Sequence, residues 1–379
     1  MNKEAAYWIA LAHLPRWGHL KINNLIIKFY HERKLSIVDF FQLSEADWKN
    51  EYGFEFKEVE DLKKAKSELA NHSFLAESLL NEGYELIPII SPEYSRILKE
   101  NLKAAHAPAL LYVKGNKQIM HEKSIAIVGS RNASDKSLQF TDNIAKLASK
   151  EYKVVVSGFA KGVDKQALDS AIIYKGQSII VLPQGIMTFG SGFKKYYKQM
   201  VDGDVLVLST FFPKAPWQAE LAMARNPIIY GLANEIYVAE SAEKGGTWSG
   251  VVDGLRKNRK IYVRQPDENE NTANNMLIQK GAIAVDFNGK PIMDYQQIEP
   301  QMLTFISNEP SVNYENTILE FLRTGEYPVK DILKKLELDW AEKKLRDFLK
   351  EKKEVETINK KPLHFTIKNP ETKQKSLFD

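Results

Sequence analysis

The 379-residue chain has no cysteine, which excludes disulfides, thiol catalysis and cysteine-ligated zinc. It has almost no excess of either charge. Its 53 basic against 49 acidic side chains leave +4, so a nucleic-acid surface must be a local patch, not a field over the whole molecule. No apolar run reaches membrane-spanning length, and Met1-Asn-Lys-Glu4 opens without a hydrophobic signal segment. These absences predict a cytoplasmic protein with no membrane partner. Missing too are G-x-G-x-x-G and the P-loop G-x-x-x-x-G-K-[ST]. Ordinary dinucleotide binding and NTP hydrolysis therefore lack their motifs, and neither a cofactor nor a metal is expected. What the chain does have is 44% hydrophobic residues, enough for an ample core, and a length that suits two or three domains.

The chain is organised around the stretch from Lys123 to Asp164. Two apolar runs, Ser124-Ile-Ala-Ile-Val-Gly-Ser-Arg131 and Val154-Val-Val-Ser-Gly-Phe-Ala-Lys-Gly-Val-Asp164, break into small residues, with a helical pattern between them. Such β-branched runs mark strands buried on both faces of a sheet, and ligands of these sheets bind beyond the strands' carboxyl ends. That edge would carry Gly129, Ser130, Arg131 and Asn132 after the first run, and Ser157, Gly158, Lys161 and Gly162 after the second. Glycine and serine let backbone N–H groups approach a phosphate, a following helix N-terminus favours an anion, and Arg131 offers a fork of donors. The plain alternative is that the glycines serve tight turns only.

Strand and helix patterns then alternate as far as Lys260-Ile-Tyr-Val-Arg264, predicting an α/β fold with a doubly wound, Rossmann-like parallel sheet. Lys175 adds a cation. Lys194 and Lys195 lie in Gly192-Phe-Lys-Lys-Tyr-Tyr-Lys198, where cations alternate with aromatics as on surfaces that hold a backbone while bases stack. The alternative there is a solvated helix with Phe193 and Tyr197 turned into the core. Asp164 reads as a helix N-terminal carboxylate or an arginine's partner. Glu240 is a ribose acceptor or a cap for neighbouring amides.

The flanks differ from the sheet. Residues 1–85 read as a helical domain whose Leu14-Pro-Arg-Trp-Gly-His19 turn gives it a SAM-like or helix-hairpin-helix-like character, and residues 86–295 form the Rossmann-like domain. Residues 296–312 are a polar, proline-containing linker. Residues 313–368 show three short amphipathic helices and a β-hairpin, a winged-helix-like pattern, and 369–379 a flexible tail.

The motif order resembles the DprA/Smf family of DNA-processing proteins. Ile127-Val-Gly-Ser-Arg131 is similar to its V-G-S-R, and Ser157 to Asp164 to its S-G-x-A-x-G-[IV]-D. Arg225-Asn226 with Ile228-Ile-Tyr-Gly-Leu232 resembles R-N-R-x-I-x-x-L, and Asn275, Leu277-Ile278 and Gly281-Ala282 resemble N-x-L-I-x-x-G-A. The resemblance implies a protein that is not an enzyme. It would bind single-stranded DNA through the residues above together with Arg225 and Asn226, form a homodimer, and pass the strand to the RecA recombinase. Departures are Lys161 for an arginine, Leu168 for a histidine, Pro227 for the second arginine of R-N-R, and Thr210 for a glutamate.

Two other readings stand beside it. Related Rossmann-like folds include nucleotide phosphoribohydrolases, so a nucleotide sensor or an enzyme of that type, in phage defence for instance, is the rival. The tail Gln374-Lys-Ser-Leu-Phe378 is similar to the Q-x-x-L-F peptide that docks on a sliding clamp, with Gln374, Leu377 and Phe378 as anchors. Ile236-Tyr-Val-Ala239 and Ile261-Tyr-Val263 read as late strands, one of which would form an edge for self-association.

Overall fold

The computed structural model describes residues 4–292, 314–336, 342–352, 354–358 and 362–367, in two compact units, Met1–Asp294 and Tyr295–Asp379. The expected linker 296–312 and the tail with its clamp-like peptide lie outside the described residues.

The first unit opens with helices α1 (Ala5–Ala12), α2 (His19–Ile26), α3 (Ile37–Gln42), α4 (Glu45–Tyr52), α5 (Phe56–Ser67) and α6 (Leu69–Asn81). Local chemistry sets their ends. Ser36 with Asp39 and Ser44 with Asp47 form capping boxes that start α3 and α4. Trp8, Phe29, Phe40 and Trp48 fill the middle, and the same core runs on into the sheet through Tyr112, Ile180, Val205 and Val207.

The sheet has nine strands among the described residues: β1 (Glu85–Pro88), β2 (Leu110–Gly115), β3 (Ser124–Val128), β4 (Val154–Ser157), β5 (Ser178–Val181), β6 (Val205–Ser209), β7 (Glu235–Val238), β8 (Ile261–Arg264) and β9 (Ile283–Val285). Their order is β1-β2-β6-β5-β4-β3-β7-β8-β9. From β6 to β9 the pairs are parallel, while β1 and β2 add an antiparallel ribbon beside β6. Winding starts at β3, moves outward through β4, β5 and β6, then returns to place β7 on the other side of β3. That reversal is the topological switch point, the usual ligand crevice of such sheets.

Helices α7 (Arg96–His106), α8 (Asp135–Lys150), α9 (Val163–Ile173), α10 (Gly190–Val201), α11 (Ala219–Gly231), α12 (Gly246–Arg256) and α13 (Asn274–Gln279) cover the sheet. The period of two decides what each strand residue meets. Along β3, Ile125 and Ile127 pack with Phe140 and Ile144 of α8, whereas Ala126 and Val128 pack with Ile228 of α11 and Val251 of α12. Burying each such large side chain contributes roughly 1.5–3 kcal/mol.

One expectation fails here. β7 lies between β3 and β8, and β8 between β7 and β9, so neither late strand is an edge. Tyr237 and Tyr262 stack on each other, with centroids 4.7 Å apart. The last strand in that direction is β9, and Ile292 and Pro291 fold back to pair with it.

In the second unit, helices Tyr314–Leu322, Val329–Lys335 and Glu342–Glu351 surround a core of Ile318, Leu322, Ile332, Leu345, Leu349 and Phe365. The predicted hairpin is present as Val355–Ile358 and His364–Ile367, and a two-residue strand, Tyr327–Pro328, completes a three-stranded antiparallel sheet. Three helices with this small sheet match the winged-helix-like pattern.

Candidate nucleic-acid interface

Two cavities open along the carboxyl edge of the parallel strands. The larger, about 440 Å³, sits at the switch point between the turns after β3 and β7; Gly129, Ser130, Arg131, Asn132, Asp164, Arg225, Asn226 and Gly245 to Thr247 line it. The second, about 290 Å³, lies over the ends of β4, β5 and β6 and is lined by Phe159, Lys161, Pro183, Gln184, Phe189 and Trp217. Arg131, Ala160, Ala222 and Arg225 belong to both, so these residues form a shared wall.

Backbone contacts fix the three turns against one another. The Val163 N–H donates to the Ser130 carbonyl at 3.2 Å, and the Ser130 N–H donates to the Glu240 carbonyl at 3.0 Å. Gly162 has φ +85°, and a Cβ there would overlap the carbonyl oxygens of Ser130 and Arg131. The Glu240 carboxylate accepts from the Ser134 N–H at 2.9 Å and from the Ser134 and Ser137 hydroxyls at 2.7 and 2.8 Å. Glu240 is therefore a cap for α8, and a protein carboxylate already fills the anion position expected at that helix's N-terminus. The start of α12 is bare by contrast: its N-cap, Gly245, has no side chain to cap it, and no acidic residue stands in the first turn.

Below the shared wall lies a buried pair. The Arg225 side chain is 4% exposed and that of Asp164 11%, with Nη1 and Oδ2 3.5 Å apart. The Arg225 Nη1 also donates to the Val181 carbonyl at 3.4 Å, while its Nε has no protein partner. Gly158 makes room for this arrangement: a Cβ there would collide with the guanidinium and with the Asp164 carboxylate. Burial pushes the Asp164 carboxyl up, opposed by Arg225 and the Ala160 amide. Burial also pulls the guanidinium of Arg225 down, with Asp164 opposing and the nearby Arg131 charge adding to the effect.

A second buried arginine braces the site from behind. Arg264, fully enclosed, donates to the Ala239 carbonyl at 3.0 Å and the Ser137 hydroxyl at 3.1 Å, and pairs with Glu270. Asn274 bridges the same carbonyl and that of Arg264, and accepts from the Ser241 N–H. Asn274, not the motif residue Asn275, is the buried asparagine of its helix.

The structure gathers Gly129, Ser130, Arg131, Asn132, Lys161, Arg225 and Asn226 at these cavities, with Gly158 and Gly162 in the turns beneath. Ser157 is buried and donates to the Ile127 carbonyl, so it holds β4 to β3. Lys175 does not join them. It follows the carboxyl end of α9 and precedes the start of β5, which places it at the opposite edge of the sheet, ~16 Å along α9. On α10, Lys194 is exposed, but Lys195 pairs with Asp169 at 2.7 Å. Tyr196 and Phe193 pack inward and Tyr197 is 67% exposed, so the inward tyrosine is the neighbour of the one expected. Sequence reasoning also passed over Phe159, Phe189 and Trp217. Trp217, 55% exposed, lies in the loop just before α11, which begins at Ala219.

The switch-point cavity, with its glycine turns and the cations Arg131 and Lys244, unpaired among the described residues, adjoins a cavity lined by Phe159, Phe189 and Trp217, an arrangement of an open parallel α/β sheet of the Rossmann-like class. Residues 85–296 match the sequence profile described as DNA recombination-mediator protein A, and the chain belongs to that family. It is 27% identical to Protein Smf of Synechocystis sp. over 297 residues, 74% of this chain and 70% of that one. It is 31% identical to DNA processing protein DprA of Streptococcus pneumoniae over 158 residues, 41% of this chain and 55% of the relative. The X-ray structure of the pneumococcal DprA shares the fold, with a TM-score of 0.57 at 24% identity over 75% of this chain and 94% of that one.

Proposed function

We propose that this chain binds single-stranded DNA without sequence preference at the carboxyl edge of its sheet, and acts as a recombination mediator that shields the strand and passes it to a RecA recombinase. The carrying observation is the pair of cavities that share Arg131 and Arg225. One is lined by glycine turns and cations, the other by Phe159, Phe189 and Trp217. A nucleotide spanning both would set its phosphate in the first and its base among the rings of the second, and only an unpaired strand offers its bases that way. Binding, and not catalysis, suits the site's chemistry, because the cavity acid Asp164 is held by Arg225. Membership of a recombination-mediator family supports the same reading. The homodimer belongs to the proposal on that resemblance alone.

Fluorescence anisotropy with single-stranded and duplex oligonucleotides over a salt series tests the reading. Single strands should bind more tightly, with a log–log salt slope of about 0.7 for each phosphate held. A flat slope, or equal affinity for duplex, overturns it.

A further inference from the structure

We infer that Asp164 is an internal counter-charge that limits how tightly the cavities grip a strand. The inference rests on the single-strand reading and adds to it a residue that acts through another. Arg225 forms part of the wall of both cavities, yet its charge is not free: Asp164 lies 3.5 Å from it, and the two side chains are enclosed together under the Gly158 backbone. To a phosphate in either cavity the pair is a dipole and not a cation. The net attraction then comes from Arg131, Lys161 and Lys244, which have no ion-pair partner among the described residues. Burial raises both the Asp164 carboxyl and the energy of any uncompensated charge on Arg225, so each of the two keeps the other in place. A protein that must give up its strand to a partner gains from such a limit. An uncompensated buried guanidinium would hold a phosphate with little screening.

Asp164→Asn keeps the shape of the side chain and removes its charge. The variant should bind a labelled single-stranded oligonucleotide about tenfold more tightly at low salt, as one added charge at this range allows. Its salt slope should steepen by about 0.7. The oligonucleotide should also raise its melting temperature more than it raises that of the parent protein. Unchanged or weaker binding by a folded Asp164→Asn protein overturns the inference.

If the uncompensated cation prevents folding, the double variant Asp164→Asn with Arg225→Met, which carries neither charge, decides. A slope equal to the parent's supports the neutral pair. A slope lower by about 0.7 shows Arg225 to be a phosphate ligand in its own right and overturns the inference. Absence of salt-dependent binding in the parent protein would overturn the single-strand reading and this inference with it. Parent binding with an unresponsive Asp164→Asn overturns this inference alone.

Discussion

At the amino edge of the sheet, Lys153 lies between Glu151 and Glu235 at 2.8 and 3.4 Å, and Lys260 donates to the other oxygen of Glu235 at 2.8 Å. At the carboxyl edge, Arg131, Lys161 and Lys244 line cavities and have no such partners among the described residues. Cations stand at both edges of one sheet. Lys153 and Lys260 are compensated by acids, Lys175 at the same edge is unpaired among the described residues but lines neither cavity, and the three cavity cations are uncompensated. A count of lysines and arginines therefore does not locate an anion site. What distinguishes the carboxyl edge is that its cations left unpaired by acids are gathered around cavities, beside the uncapped start of α12.

The contrast can be tested from both sides. Arg131→Ala should weaken single-strand binding by more than about tenfold, the worth of a charged hydrogen bond, and leave thermal stability unchanged, since the side chain is exposed. Unchanged affinity removes Arg131 from the site. Trp217→Ala should weaken binding by about fivefold, the lower end for one stacked base, with a salt slope equal to the parent's because no charge is lost. A shallower slope would mean that Trp217 only orders the loop that carries the cations.

At the amino edge the expected effect falls on stability. Burial pushes the Glu235 carboxyl up, but hydrogen bonds and charges from Lys260 and Lys153 outweigh it and hold the group below its usual range. Its contribution is therefore fully present above the ordinary glutamate pKa and is lost as pH falls through the depressed value. Glu235→Gln should cost about 1 kcal/mol at neutral pH and nothing at strongly acid pH, read by denaturant titration, with DNA affinity unaltered. Least of all, Lys175→Ala should change neither affinity nor salt slope. A fall in slope of about 0.7 would place DNA at the amino edge and dissolve the contrast.

The fold was largely legible because strand runs such as Ile125–Val128 and Val154–Val156 are apolar on both faces, a pattern that parallel packing imposes on sequence. The glycine turns were legible for a related reason: Gly158 and Gly162 stand where any side chain would collide with Arg225 or with the Ser130 backbone. Position relative to the sheet was less accessible. Lys175 is only eleven residues from Asp164, yet the helix between them carries it to the other edge. Tyr196 and Tyr197 differ by one position, about 100° of helical rotation, and only packing against Phe159 decides which is inside. The aromatic cavity draws on three separate turns, so no local period announces it. Likewise the pairing of Asp164 with Arg225 joins α9 to α11, a relation that sequence spacing does not express.

The hydrogen bonds that run from Val163 to Ser130, from Ser130 to Glu240, and from Ser134 at the start of α8 to the Glu240 carboxylate tie three turns and a helix into one relay. Its consequence is kinetic. On the proposed function, a strand arriving at this edge would meet a floor whose backbone is already in place, so little ordering would remain for the moment of contact. Capture should then be paced by electrostatically guided encounter, with salt acting on the rate of arrival. On the proposed function, release would then be the step on which a competing protein acts.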